Sequence, residues 1–442
     1  MKKIDLTQGK VLSVLTILAL PIMGTSFLQF AYNIIDMIWV GGLGSNAVAS
    51  IGSASFFVGL GYSINSLVVI GAGIKVSHSL GRKENNEARQ YINAGLFINI
   101  ILGLVCGASL IFFGKAFIGF LNINNLVVER DAYSYLVLSA PTLFFTFFNL
   151  FYARILGSYG NNKEALKISV LGIVISIVLD PVFIYILKLG VPGAALGSLV
   201  ANIVMFLVYR IKFKGSFNYN KKIGLDYKKV NEIVKLGAPM AFQRILFTLI
   251  NIILARIIAK FGSDALAAQK IGLQIESLGY MVIGGFQGAI ASFTGQNFGA
   301  KRFERIKEGY NAALKIGIIY SLILTVVFIF FNVPLIKIFI REDSTIAIAS
   351  SYLQVIGFSQ IFSTIEVVSN GLFTGIGKPN IPAAISVIFT ALRIPMALLF
   401  TIFLGLNGIW LSIALSSMFK GIAAYLIYII KVRKESKNVE EN

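Results

Sequence analysis

The sequence predicts an all-α polytopic membrane protein, with twelve transmembrane helices disposed as two parallel repeats of six. Three observations lead there. The chain is 56% hydrophobic and only 13% charged, where soluble domains use roughly a quarter charged residues. Its apolar runs return at lengths that match a ~30 Å hydrocarbon core crossed by helices, the structure that satisfies its own backbone in lipid. The second half of the chain also repeats the first.

The runs follow in order. The first, 12–40, carries Pro21, Tyr32 and Asp36, and is too long and too poor in small residues at its end for a cleavable signal peptide. The second is 47–74, and the loop after it holds the lone His78, expected to be solvated. The third, 91–118, contains the single cysteine, Cys106, which excludes an intramolecular disulfide and a cysteine metal cluster. The fourth is 134–157, the fifth, 164–187, holds Ser176, Asp180 and Pro181, and the sixth, 191–211, holds Ser198.

The joint, KFKGSFNYNKKIGLDYKKVNE at 212–232, is polar and basic, and reads as a tether without chemistry of its own. Its latter part, DYKKVNEIVK, suits a short interfacial helix with lysines toward lipid headgroups. Six further runs follow at 233–259, 265–295, 308–333, 349–374, 381–404 and 408–431. The domains expected are therefore 1–211, a linker at 212–232, and 233–442 with a basic tail.

The repeat is explicit. Pro21 recurs as Pro239, and the same offset takes Gly44, Ser45 and Ala47 to Gly262, Ser263 and Ala265, then Gly81 and Lys83 to Gly299 and Lys301. Later the register drifts by small deletions: Tyr135 matches Tyr352, Gly160 matches Gly377, Pro181 matches Pro395, and Gly193 with Leu196 match Gly408 with Leu411. Parallel repeats of this kind are a transporter architecture.

The net charge of +19 does not indicate nucleic acid, because most of the 39 lysines and arginines fall at the termini and even-numbered connections. By the positive-inside rule that side is cytoplasmic, facing anionic lipid, with both termini inside.

Ionisable residues inside spans are costly and face a bundle interior or a wet cavity. Asp36 and Asp180 lie at one depth in the first half, which suggests a shared site. Pro181 leaves a carbonyl one turn back without its donor, and Tyr32 and Ser176 each stand one turn before an acid, on the same helix face. Ser198 is in the next span. A carboxylate pair with these hydroxyls suits a proton or Na⁺, with Asp36 and Asp180 as metal ligands in the sodium case only. In the second half Leu254 replaces Asp36, and the spans carry Arg244, Glu276, Glu366, Arg393 and Lys420. Ion pairing is their default reading, with Glu276, Gln243 and Arg244 as candidate substrate contacts. No phosphate-binding loop, zinc-protease motif or nucleophile elbow is present. The sequence therefore predicts no enzyme and no cofactor, and transport driven by an ion gradient.

The segments DMIWVGGLGSNAVASIG, LDPVFIYILKLGVPGAALGS, and ALAAQKIGLQIESLGY with TGQNFGAKR resemble the multidrug and toxic compound extrusion (MATE) transporters, the last being similar to the DinF-like prokaryotic branch. The resemblance implies two lobes forming a V and cation-coupled export of amphipathic, often cationic compounds; the chain is expected to act as a monomer in a prokaryotic cytoplasmic membrane. The resemblance also implies an N-lobe cation network of Tyr32, Asp36, Asp180 and Ser198, with Ser176 where relatives often carry Asn, and a bend at Pro21, while the proline at 181 is expected to kink the fifth run by its own chemistry. A lipid-linked saccharide flippase of the same superfamily is the alternative, kept open by Arg244, Arg393 and Lys420.

Overall fold

The structure, a computed structural model, describes residues 4–123 and 125–432. Apolar runs without internal turn signals become long helices: α1 (Val11–Gly41), α2 (Ser45–Gly81), α3 (Asn85–Phe120), α4 (Leu126–Ser158), α5 (Asn162–Pro181), α6 (Val191–Lys212), α7 (Tyr227–Ile258), α8 (Ser263–Gly299) and α9 (Phe303–Phe330). Shorter pieces follow: α10 (Asn332–Lys337), α11 (Asp343–Gly357), α12 (Gln360–Gly375), α13 (Asn380–Ala391), α14 (Arg393–Leu404) and α15 (Leu406–Ile427).

Ten segments are long and apolar enough to cross a membrane, and α11 with α12, bent by 55° at their junction, are apolar enough together to make an eleventh if the pair is one span. The 37-residue α8, which carries Asp264, Lys270 and Glu276, stands outside that count and occupies the place of the eighth run expected from sequence. The helices overrun their apolar stretches because polar residues continue them beyond the hydrocarbon.

The repeat extends to the backbone. Gly44 and Gly262 take φ of 100° and 102°, and Gly160 and Gly377 both take 79°, a left-handed conformation that glycine adopts without the Cβ penalty. Even the non-glycine pair Lys83 and Lys301 shares it, at 63° and 57°.

The chain forms two compact units whose borders differ from those expected from sequence. One comprises Gly24–Ala241 with the residues up to Asp5, and the other comprises Leu6–Met23 with Phe242 onward. The chain changes unit two residues after Pro21 and, at the equivalent place, two residues after Pro239. The core explains the first change: Leu6, Leu15 and Leu18 are buried with Ala289, Ile290 and Phe293. In the first unit, Phe151, Tyr152 and Phe217 share a core with Ile92 and Ile233.

Three expectations are corrected here. The joint is not a free tether: Phe217 is fully buried and stacks on Tyr152 at 4.4 Å. Asn93 donates to the carbonyls of Asn220 and Gly224 at 3.0 and 2.9 Å, and Arg89 donates to those of Ser216 and Asn218. Nor is there a separate lipid-facing helix, since Tyr227 opens α7 and Lys229 pairs with Glu87 at 2.9 Å. His78, expected in solvent, is buried in the last turn of α2. The expected basic tail at 433–442 and the lysines at positions 2 and 3 lie outside the described residues.

Candidate functional site

Pro181 has no N–H, so α5 cannot continue with regular bonding, and the chain passes into a π-helical turn, Val182–Ile186. Such turns reset the helix phase and recur at functional sites. The last residue before the proline is Asp180, whose side chain is wholly buried.

Tyr32 on α1 reaches across to it, its hydroxyl donating to Asp180 Oδ2 at 3.2 Å. Ser176 and Ser198 stand beside the same phenol. Asp36, half-buried one turn further along α1, lies within electrostatic range of Asp180, Tyr32 and Tyr135. The five residues expected to share a site are thus brought together. Asp180 Oδ1 is buried without a hydrogen-bond partner. A buried, half-satisfied carboxylate is costly unless a proton or cation completes it.

Neighbouring contacts hold the two acid-bearing helices in register. The Tyr185 hydroxyl, in the π turn, donates to the Trp39 carbonyl at the end of α1, and the two rings meet edge-on at 6.2 Å. Gly42 leaves the space that the Tyr185 hydroxyl fills. Behind the acids, Asn202 donates to the Ser198 carbonyl at 2.9 Å and accepts from Thr146 and Asn149 at 2.9 and 3.1 Å. Tyr135, Asn202 and Thr146 were not anticipated from the sequence. The available signal was the repeat match of Tyr135 to Tyr352, because Tyr352 also faces an acid.

That acid is Glu276, which accepts from Tyr352 at 2.9 Å and sits beside Tyr280, Gln360 and Arg393. The pairing expected by default occurs between Lys420 and Glu366, 3.2 Å apart and buried. Arg393 donates to Ser416 and Ser417 at 3.0 and 3.3 Å. Of the other candidate substrate contacts, Gln243 donates to Ser386 at 2.9 Å and Arg244 is exposed. No hydrogen bond joins Glu276, Gln243 and Arg244 among the described residues.

Chemically, the first cluster offers two carboxylates, a phenol and two hydroxyls. This all-oxygen set suits a proton or a hard cation better than a soft transition metal. Among the described residues no group of three or more His, Cys, Asp or Glu side chains forms a metal cage.

Comparison with known proteins follows the same division of the chain. The MatE family model matches residues 21–182 and again 239–399. The probable multidrug resistance protein YpnP of Bacillus subtilis is 28% identical over 97% of this chain and 97% of its own. The multidrug export protein MepA of Staphylococcus aureus is 24% identical over 94% and 93%. A solved structure of a multidrug resistance MATE family transporter of the MOP superfamily, in an outward-facing conformation, superposes with a TM-score of 0.90 at 22% identity, over 98% of both chains.

Proposed function

From the premise that the chain belongs to the MatE family, and is thus a polytopic membrane transporter, we propose that it is a secondary active antiporter. It exports amphipathic, cationic drugs or toxic compounds in exchange for H⁺ or Na⁺. The relatives named for multidrug resistance and export support the cargo class. The observation that carries the coupling is Asp180, buried, bonded to Tyr32 through one oxygen and unpartnered at the other.

When Asp180 and Asp36 are ionised, a cationic drug or Na⁺ balances them, and when they are protonated that attraction is lost. The same carboxylates therefore exchange one cation for another. A ligand shifts such a transporter between states only through differential affinity for them, and a titrating acid supplies it. Pro21 and Pro181 act as bend points, consistent with the unit change just past Pro21 and the π turn after Pro181. Glu276, with Gln243 and Arg244, bears on substrate choice. The protein works as a monomer in the prokaryotic cytoplasmic membrane, both termini inside, its basic face toward anionic lipid.

The flippase alternative needs uncompensated cationic charge for a lipid-linked anion. Lys420 is compensated by Glu366, which favours drug export. The deciding experiment is ethidium export from proteoliposomes under separately imposed proton and sodium gradients. Export driven by one of them is expected, and export indifferent to both would sink the coupling.

A further inference from the structure

We propose that Gly197 is a positioning residue for the coupling carboxylate, the absence of its side chain forming the seat in which Asp180 lies. The proposal rests on the coupling role given to Asp180 above.

Asp180 Oδ1, the buried oxygen without a hydrogen-bond partner, is turned onto α6 at Gly197. A methyl group built on Gly197 would overlap Oδ1 and stand 3.3 Å from Cγ of Asp180. One turn earlier, a methyl on Gly193 would stand 2.8 Å from the carbonyl carbon and oxygen of Phe183. Small residues four apart let helices approach closely in a membrane, but these two glycines face different things: Gly193 meets a backbone, and Gly197 meets the acid.

The internal repeat provides the comparison. Gly193 corresponds to Gly408, where a methyl would again run into backbone, 2.7 Å from the Thr401 nitrogen. Asp180 corresponds to Ile394, and Gly197 to Ser412, whose hydroxyl donates to the Ile409 carbonyl of its own helix at 2.7 Å. The backbone-facing glycine is kept in both halves. The other is a glycine only where the carboxylate is present. Helix approach accounts for Gly193, and the acid accounts for Gly197.

With alanine at 197 the carboxylate must move out of this seat. Its charge is kept and its position is lost. The test is a double-mutant cycle on the full-length protein in proteoliposomes, reading ion-driven ethidium export, its pH profile and thermal unfolding. Gly197→Ala should lower ion-driven export at least tenfold and move the midpoint of the pH profile. In an Asp180→Ala background, which leaves room for the methyl, the same substitution should change neither residual transport nor melting temperature, as expected of residues that act as a unit.

Parental export and pH profile in Gly197→Ala would overturn the proposal, as would an equal loss of melting temperature in both backgrounds. Should Gly197→Ala fail to fold, its recovery by Asp180→Ala supports the seat, and continued failure there assigns the glycine to helix contact alone and overturns it. Full ion-driven export by Asp180→Asn would instead remove the coupling role itself, and the seat's function with it.

Discussion

At the residue scale, Asp36 and Asp180 were legible because a carboxylate in an apolar run has so few bland explanations. Their companion Tyr32 was legible by helix spacing, although spacing put it beside Asp36 and the structure bonds it to Asp180, on another helix. What spacing cannot reach is a partner supplied from far along the chain, and so Tyr135 and Asn202 were missed. The proposed chemistry makes a sharp demand. Asp36→Asn and Asp180→Asn keep shape and remove charge, so each should cut ion-driven ethidium export at least tenfold, ~1.4 kcal/mol or more of coupling. Melting temperatures should hold or rise, because a neutral amide is cheaper to bury than a carboxylate. The double variant should be scarcely worse than either single one. Normal coupling in Asp36→Asn together with its loss in Glu276→Gln would move the site to the other unit.

At the element scale, hydropathy and proline placed the helices but not their irregularities. Pro181 announced a break, and only the structure makes that break a π turn with Tyr185 holding the end of α1. The docking of the joint at 212–232 is hidden from the sequence for a related reason. Composition describes polar chain, whereas the hydrogen bonds that dock it come from Arg89 and Asn93, more than a hundred residues earlier. Replacing Arg89 with alanine leaves the Ser216 and Asn218 carbonyls without that donor, at a cost of ~1–3 kcal/mol. The variant should be cut by trypsin near Lys221 and Lys222 well before the parent is, and equal cleavage rates would return the segment to a loose tether. For α1, Pro21→Ala should slow transport with expression unchanged, since it removes the cause of the bend proposed there. Parental turnover would leave the proline a packing feature.

At the scale of the whole molecule, the apolar spans and the parallel repeat were readable because both are written in local pattern, and the paired dihedrals of Gly44 with Gly262 bear out the repeat. The exchange of Leu6–Met23 and the first part of α7 between units was not. An apolar run shows that it will be buried, and not which helices will bury it. Orientation is the global property on which the charge distribution commits itself. Lysine and arginine crowd the termini and even-numbered connections, and by the positive-inside rule the proposed orientation puts that face in the cytoplasm. Lys221, in the joint, and Ser45, at the start of α2, are both exposed and lie on opposite faces in this topology. In a Cys106→Ala background, a membrane-impermeant maleimide added to intact cells should label Ser45→Cys readily. Lys221→Cys should react only after the cells are opened. Labelling of Lys221→Cys in intact cells, with Ser45→Cys protected, would invert the topology. The basic face would then meet the outside, and the direction of export inferred for the cation-exchanging carboxylates would have to be reversed with it.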